Sequence, residues 1–227
     1  DGSATSGAAA SEQDTSTTTV AGATTSVATS PDAHTEPPAD PGARPPAEGT
    51  IGYVGCSVSQ NAVAGYGRIL GGTRMWSGGQ PYGGGSIGRW ERDIDSSRSR
   101  YWQGFDDALS ARPDTTAIWY SLCTIRGAPG DSVEAASSVV AEIRSRIPDV
   151  PIFVSAQPPY SGDHVCDLAG ETGPQKMAAV AAELVALGLA QPGPAMEPLA
   201  ASETADGCHA NEIGQEKMGR RLLEFFG

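Results

Sequence analysis

The first fifty of the chain's 227 residues offer almost nothing that a fold could bury: no aromatic residue, and one basic residue, Arg44, against seven acidic ones. Thr, Ser, Ala and Pro make up most of the rest, and such a stretch buries too little apolar surface to offset the entropy of ordering it. Pro-rich pieces such as TEPPADPGARPPAEG should be extended and stiff. Residues 1–48 are therefore expected to be a disordered tail or stalk, and residues 49–227 one folded domain with room for a substantial core. Apolar runs approaching the ~20 residues that span a bilayer are missing too, so no transmembrane segment is expected. Half of the formal net charge of −12 falls on each part. Neither part presents the basic surface that nucleic acid or anionic lipid requires. There is no Cys-x-x-Cys pair; the four cysteines, at 56, 123, 166 and 208, all lie in the folded part and allow three pairings. An even count beside a stalk-like tail suggests export to an oxidising compartment, as a secreted or cell-surface attached protein.

What is present is alternation. TIGYVG at 50–55 is a short apolar run ended by Gly, which predicts a buried strand, and SQNAVAGYGRIL after it sets Ala62, Val63 and Tyr66 at near-helical spacing. GGTRMW at 71–76 predicts a second strand, SGGQPYGGGSIGRW a glycine-rich loop, and SSRSRYWQGFDDALSA a helix with Tyr101, Trp102, Phe105 and Leu109 on one stripe. TTAIWYSL at 115–122 is β-branched and aromatic, the best strand candidate. A helix with Asp131 as N-cap, a strand at 150–156, a helix stopping at Gly188 and a final amphipathic helix complete the chain. Strands alternating with helices predict a parallel sheet covered on both faces, with the ligand site at the carboxyl ends of the strands. Ser57 falls there, directly after the first strand.

A serine becomes a nucleophile when a base takes its proton, usually a histidine oriented by a carboxylate. Otherwise Ser57 is only a helix cap, a role open equally to Ser59. Of three histidines, His34 lies in the tail, His164 in the polar loop SGDHVCD, and His209 directly before the last helix, three residues after Asp206. Asp-x-x-His at a loop-to-helix junction lets one short loop present both groups, Nδ1 toward the carboxylate and Nε2 outward.

Gly55-Cys56-Ser57 at the first strand end, the glycine-rich segment YGGGSIGRW, and Asp206-x-x-His209 before the last helix together resemble the SGNH hydrolase superfamily, the GDSL-type esterases and lipases. The resemblance covers about 52–227 and implies a doubly wound, flavodoxin-like α/β three-layer sandwich with a mainly parallel five-stranded sheet. It implies Ser57 as nucleophile, His209 as base and Asp206 as its orienting carboxylate. It implies an oxyanion hole from the backbone N–H groups of Ser57 and Gly85, with Gly84 the alternative to Gly85. The chain departs from the family at Cys56, where Asp is usual, and at YSLCTIRG, where the family's oxyanion asparagine is absent and Thr124 is the nearest donor. In a sheet of order 2-1-3-4-5 the first and third strands are neighbours, which favours Cys56–Cys123 as one disulfide and Cys166–Cys208, on loops of the same face, as the other. A zinc set of Asp163, His164, Cys166, Cys208 and His209 matches no standard spacing. The expected protein is thus a monomeric carboxylic ester hydrolase without cofactor or metal, acting through an acyl-enzyme on short-chain acyl, lipid or acetylated-sugar esters, presented by a small molecule or a polysaccharide. Trp76, Tyr82, Trp90 and Tyr160 are candidates to line its substrate pocket. A non-catalytic module that binds a glycan or acyl group is the alternative.

Overall fold

A computed structural model describes residues 44–78, 85–96 and 99–227. Residues 1–43, which make up most of the expected tail, lie outside the described residues. The chain is already tied down just before residue 49, where the Arg74 guanidinium donates to the carbonyls of Pro46, Ala47 and Glu48.

Period-2 alternation in three strands fixes the layers. In β1 (Thr50–Val54), β3 (Thr115–Leu122) and β4 (Ile152–Ala156), the residues Ile51, Tyr53, Ala117, Trp119 and Phe153 share one face. Val54, Ile118, Tyr120, Leu122, Ile152 and Val154 share the other. Against the first face pack α1 (Ser57–Leu70) and α6 (Glu212–Phe226), through Ala62, Val63, Tyr66, Met218, Leu222 and Phe226. Against the second pack α2 (Ile87–Arg92), α3 (Tyr101–Ser110), α4 (Val133–Arg146) and α5 (Gly173–Ala186), through Trp90, Trp102, Phe105, Val139, Ile143, Met177 and Leu184. With the two-residue strands β2 (Met75–Trp76) and β5 (Gln191–Pro192), the sheet runs β2-β1-β3-β4-β5, and every pairing is parallel. This is the doubly wound three-layer sandwich expected from the sequence.

Two short elements were not located in the sequence, although a fifth strand was expected. β5 is too brief to leave a periodic signal, and α2 occupies the end of the segment expected to be a glycine-rich loop. Asp131 is not the cap of α4. Ser132 caps it, accepting from the Ala135 N–H at 3.2 Å, while Asp131 turns inward, 6% exposed, to accept the Thr124 hydroxyl. No helix among the described residues is long and apolar enough to cross a membrane.

Parallel strands deliver their carboxyl ends to one edge of the sheet, and the chain reverses its winding between β1 and β3. That crevice is where doubly wound sheets place their ligands. Cys56, Cys123 and Gln157 each stand within two residues of the end of β1, β3 or β4.

Candidate active site

Ser57 is the first residue of α1, and its hydroxyl does not cap the helix. Cys56 holds the cap position, with its N–H bonded to Ser59 Oγ at 3.1 Å, so Ser59 satisfies the helix end and leaves the Ser57 hydroxyl free for another partner. Gly55 makes this turn possible, because a β-carbon there would collide with Ser59. A disulfide, Cys56–Cys123, ties the residue before Ser57 to the end of β3.

The partner of the Ser57 hydroxyl is His209: Ser57 Oγ lies 2.8 Å from His209 Nε2. His209 Nδ1 is 2.7 Å from Asp206 Oδ2. The other carboxylate oxygen of Asp206, Oδ1, accepts the backbone N–H of Cys208 at 3.0 Å and of His209 at 2.7 Å. These bonds, led by the one to the imidazole, lower the Asp206 pKa from 3.8 to about 2. With the carboxylate ionised, Nδ1 must carry the ring proton, which leaves the Nε2 lone pair to accept from the Ser57 hydroxyl. Gly207, with φ +82°, supplies the left-handed step that lets Asp206 fold back over its own loop.

Three further contacts hold this loop, one to α1 and two to the segment after β4. Asn61, one turn along the helix from Ser57, accepts the Ala210 N–H at 3.1 Å. The second disulfide joins Cys166, on the loop after β4, to Cys208, next to His209. The Tyr160 hydroxyl donates to the Cys208 carbonyl at 2.9 Å, its pKa raised to about 12 by burial and, secondarily, by Asp206. Behind them α1 and α6 meet at glycines: a β-carbon at Gly65 would run into the carbonyl of Gln215, and one at Gly219 into the backbone of Gly65. Asn211 caps α6 by accepting from Ile213 and Gly214. One helix therefore begins with Ser57, its close-packed neighbour begins just after His209, and their contact brings together residues 152 apart in sequence.

The paired side chains open into a cavity of about 210 Å³ lined by Cys56, Ser57, Val58, Ser86, Arg89, Cys123, Thr124, Ile125, Gln157, Tyr160, Cys166, Leu168, Ala169, Cys208 and His209. Gly85 sits beside it, packed against the Gly55 carbonyl and the Trp90 indole. Gly84 and Tyr82 lie outside the described residues. Of the four aromatic candidates, Tyr160 lines the cavity. Two of the others do not. Trp90 is 0% exposed, its indole N–H given to the Gly55 carbonyl at 2.9 Å, and so it buttresses the end of β1 from behind. Trp76 is also buried, and its indole N–H donates to Thr115 Oγ1 at the start of β3, the opposite end of the sheet from Ser57. Both indoles carry large apolar surfaces with one donor each, and the core satisfies both.

Thr124 requires a correction as well. It lines the cavity, but its hydroxyl donates to Asp131 Oδ2 and its N–H donates to Gln157 Oε1 at 2.9 Å, so neither group is left for a ligand. Gln157, which directly follows β4 and is 4% exposed, lines the cavity without being among the residues expected there. A polar side chain directly following a strand otherwise buried was the available signal. Cys166 and Cys208 are bonded to each other, which removes two members of the zinc set weighed above.

No family model matches this chain, and no curated protein does. Solved structures resemble it at low identity. A family two carbohydrate esterase from Clostridium thermocellum, in complex with cellohexaose, is 18% identical with a TM-score of 0.49, over 78% of this chain and 63% of that one. A carbohydrate acetylesterase from Sinorhizobium meliloti is 11% identical with a TM-score of 0.45, over 78% and 97%. A Lactobacillus plantarum protein is 15% identical with a TM-score of 0.45, over 78% and 95%. Identities this low say nothing of chemistry.

Proposed function

We propose that this protein is a serine esterase of the SGNH type that cleaves short acyl groups from alcohols. The observation that carries the reading is the continuous hydrogen-bonded line from Ser57 Oγ through His209 to Asp206. In the mechanism, His209 Nε2 takes the hydroxyl proton as Ser57 Oγ attacks the acyl carbonyl, and Asp206 stabilises the resulting imidazolium. The negative charge on the carbonyl oxygen is met by the N–H groups of Ser57, at the positive end of α1, and of Gly85. His209 then returns the proton to the departing alcohol oxygen, and a water deprotonated by the same nitrogen hydrolyses the acyl-enzyme.

The cavity supports a short acyl group. At about 210 Å³ it falls below the roughly 300–1,000 Å³ of pockets that hold drug-sized ligands. A second reading, a long acyl chain, draws on a separate apolar groove of about 630 Å³ between β4, β5 and α5, lined by Val154, Ala178, Ala182, Val185, Pro192 and Met196 and sharing Gln157 with the cavity. Two disulfides and a Thr/Ser/Pro-rich leading segment support action outside the cell, secreted or attached to the surface. Hydrolysis of esters from acetyl to palmitoyl, with acetylated xylan, tests the reading in wild type and Ser57→Ala. Acetyl esters should turn over fastest, and only with Ser57 present. Optimal turnover of palmitoyl esters would favour the groove. No turnover above Ser57→Ala on any ester would leave a binding module.

A further inference from the structure

The expected oxyanion asparagine is missing from the segment after β3, and the polar side chains there that line the cavity do not replace it: Cys123 is in a disulfide, and the Thr124 hydroxyl is engaged, as is its N–H. The end of β4 supplies a different group. Gln157 extends the β3–β4 ladder by one bond, its N–H donating to the Leu122 carbonyl at 2.8 Å, which fixes its backbone. Its side chain is nearly buried and lines the cavity with Ser57 and His209.

The orientation of its carboxamide is determined by chemistry. The Thr124 N–H can only donate, so the amide atom 2.9 Å from it must be the oxygen, and the other terminus is the NH₂. Among the described residues no acceptor takes the Nε2 hydrogens, although Gln157 is 4% exposed. An amide nitrogen without a protein acceptor is left for a ligand or solvent to complete, and Nε2 is not among the fully enclosed unpartnered atoms of the described residues. Beside a serine whose attack creates an oxyanion, such a nitrogen is a preorganised donor: its oxygen is anchored to the backbone of β3, and its hydrogens are uncommitted.

We propose that the Gln157 side-chain amide is the third donor of the oxyanion hole, taking from the end of β4 the role that an asparagine after β3 would fill. This rests on the assignment of Ser57 as nucleophile. Nε2 donates to the acyl carbonyl oxygen as it becomes tetrahedral, alongside the N–H groups of Ser57 and Gly85. The Thr124 N–H polarises the amide from its other end and strengthens that donation.

The test compares Ser57→Ala, Gln157→Glu and Gln157→Ala with wild type on p-nitrophenyl acetate, with near-ultraviolet circular dichroism as a check on folding. Gln157→Glu keeps the shape and the acceptor for Thr124 while replacing the donor with an oxygen that repels the oxyanion. Loss of one such donor should lower kcat by about 10²–10³ with KM nearly unchanged. A folded Gln157→Glu or Gln157→Ala with kcat within about tenfold of wild type would overturn the proposal, provided Ser57→Ala is inactive. Full activity in Ser57→Ala would instead overturn the nucleophile assignment, and the Gln157 role with it. Wild type supplies a readout independent of variant folding. The Gln157 side-chain amide proton resonance should shift downfield when a trifluoromethyl ketone forms its oxyanionic adduct, and an unmoved resonance in a formed adduct would contradict the role.

Discussion

The two walls of the cavity are built by opposite means. One wall, with Ser57 and His209, comes from two helices packed through glycine and locked by Asn61, Tyr160 and the disulfide at Cys208. The other, with Thr124 and Gln157, comes from the ends of two neighbouring strands and is held by the Gln157 side chain accepting from the Thr124 N–H and the Gln157 N–H donating to the Leu122 carbonyl. In the first wall each functional group sits beside its own local signal: a Gly-x-Ser turn, and an Asp three residues ahead of a His. In the second, function depends on which residue of one strand end reaches the other, and the sequence does not print that.

The largest losses are expected at the helical wall. His209→Ala should lower kcat on the order of 10⁶, and Asp206→Asn by roughly 10⁴, since the carboxylate orients the imidazole without itself exchanging the proton. Steady-state kinetics on an acetyl ester checks both, and equal losses in kcat would contradict the division of roles. The base must be neutral to accept the Ser57 proton, so kcat/KM should fall when acid protonates the imidazole. Asp206, with its pKa near 2, stays ionised until strongly acidic pH.

Next in size are the devices that join the helical wall to the rest. Replacing Cys166 and Cys208 together by serine releases a cross-link between residues 42 apart, worth up to about 4 kcal/mol in the chain-entropy model. Urea denaturation should show that loss, with an accompanying fall in kcat because His209 adjoins the bridge. Gly65→Ala places a methyl against the Gln215 carbonyl and should cost about 1–3 kcal/mol by overpacking. Asn61→Ala removes one acceptor from the Ala210 N–H, a loss of about 1 kcal/mol. Its kcat should fall more than its stability does, and unchanged kcat would show that the loop does not depend on α1. Smallest is the contribution of Asp206 to stability. Its folded pKa is depressed, so that contribution is present above 3.8 and lost as pH falls toward 2, and it is small because the side chain is 55% exposed.

Most of the fold was legible because long elements repeat their pattern. TTAIWYSL alternates between two buried faces, and the helices carry apolar stripes that match those faces. β5 and α2 escaped notice, being too short for a period to emerge. At the site, the pairing of Ser57, Asp206 and His209 could be anticipated because Gly55-Cys56-Ser57 and Asp206-x-x-His209 each resemble a block of one known family. The placement of Trp76 and Trp90 could not, since an indole buried with its N–H satisfied and one facing a ligand look alike in sequence. Thr124 was the reasonable donor by position along the chain, but its hydroxyl bonds to Asp131, seven residues on, and its N–H to the Gln157 side chain at the end of the neighbouring strand.

The most direct test of the central reading is to treat the intact protein with a fluorophosphonate and locate the adduct by peptide mass spectrometry. One adduct, on Ser57, should form in wild type and be absent after His209→Ala. A folded wild type that takes no adduct, or takes it on another serine, would contradict it.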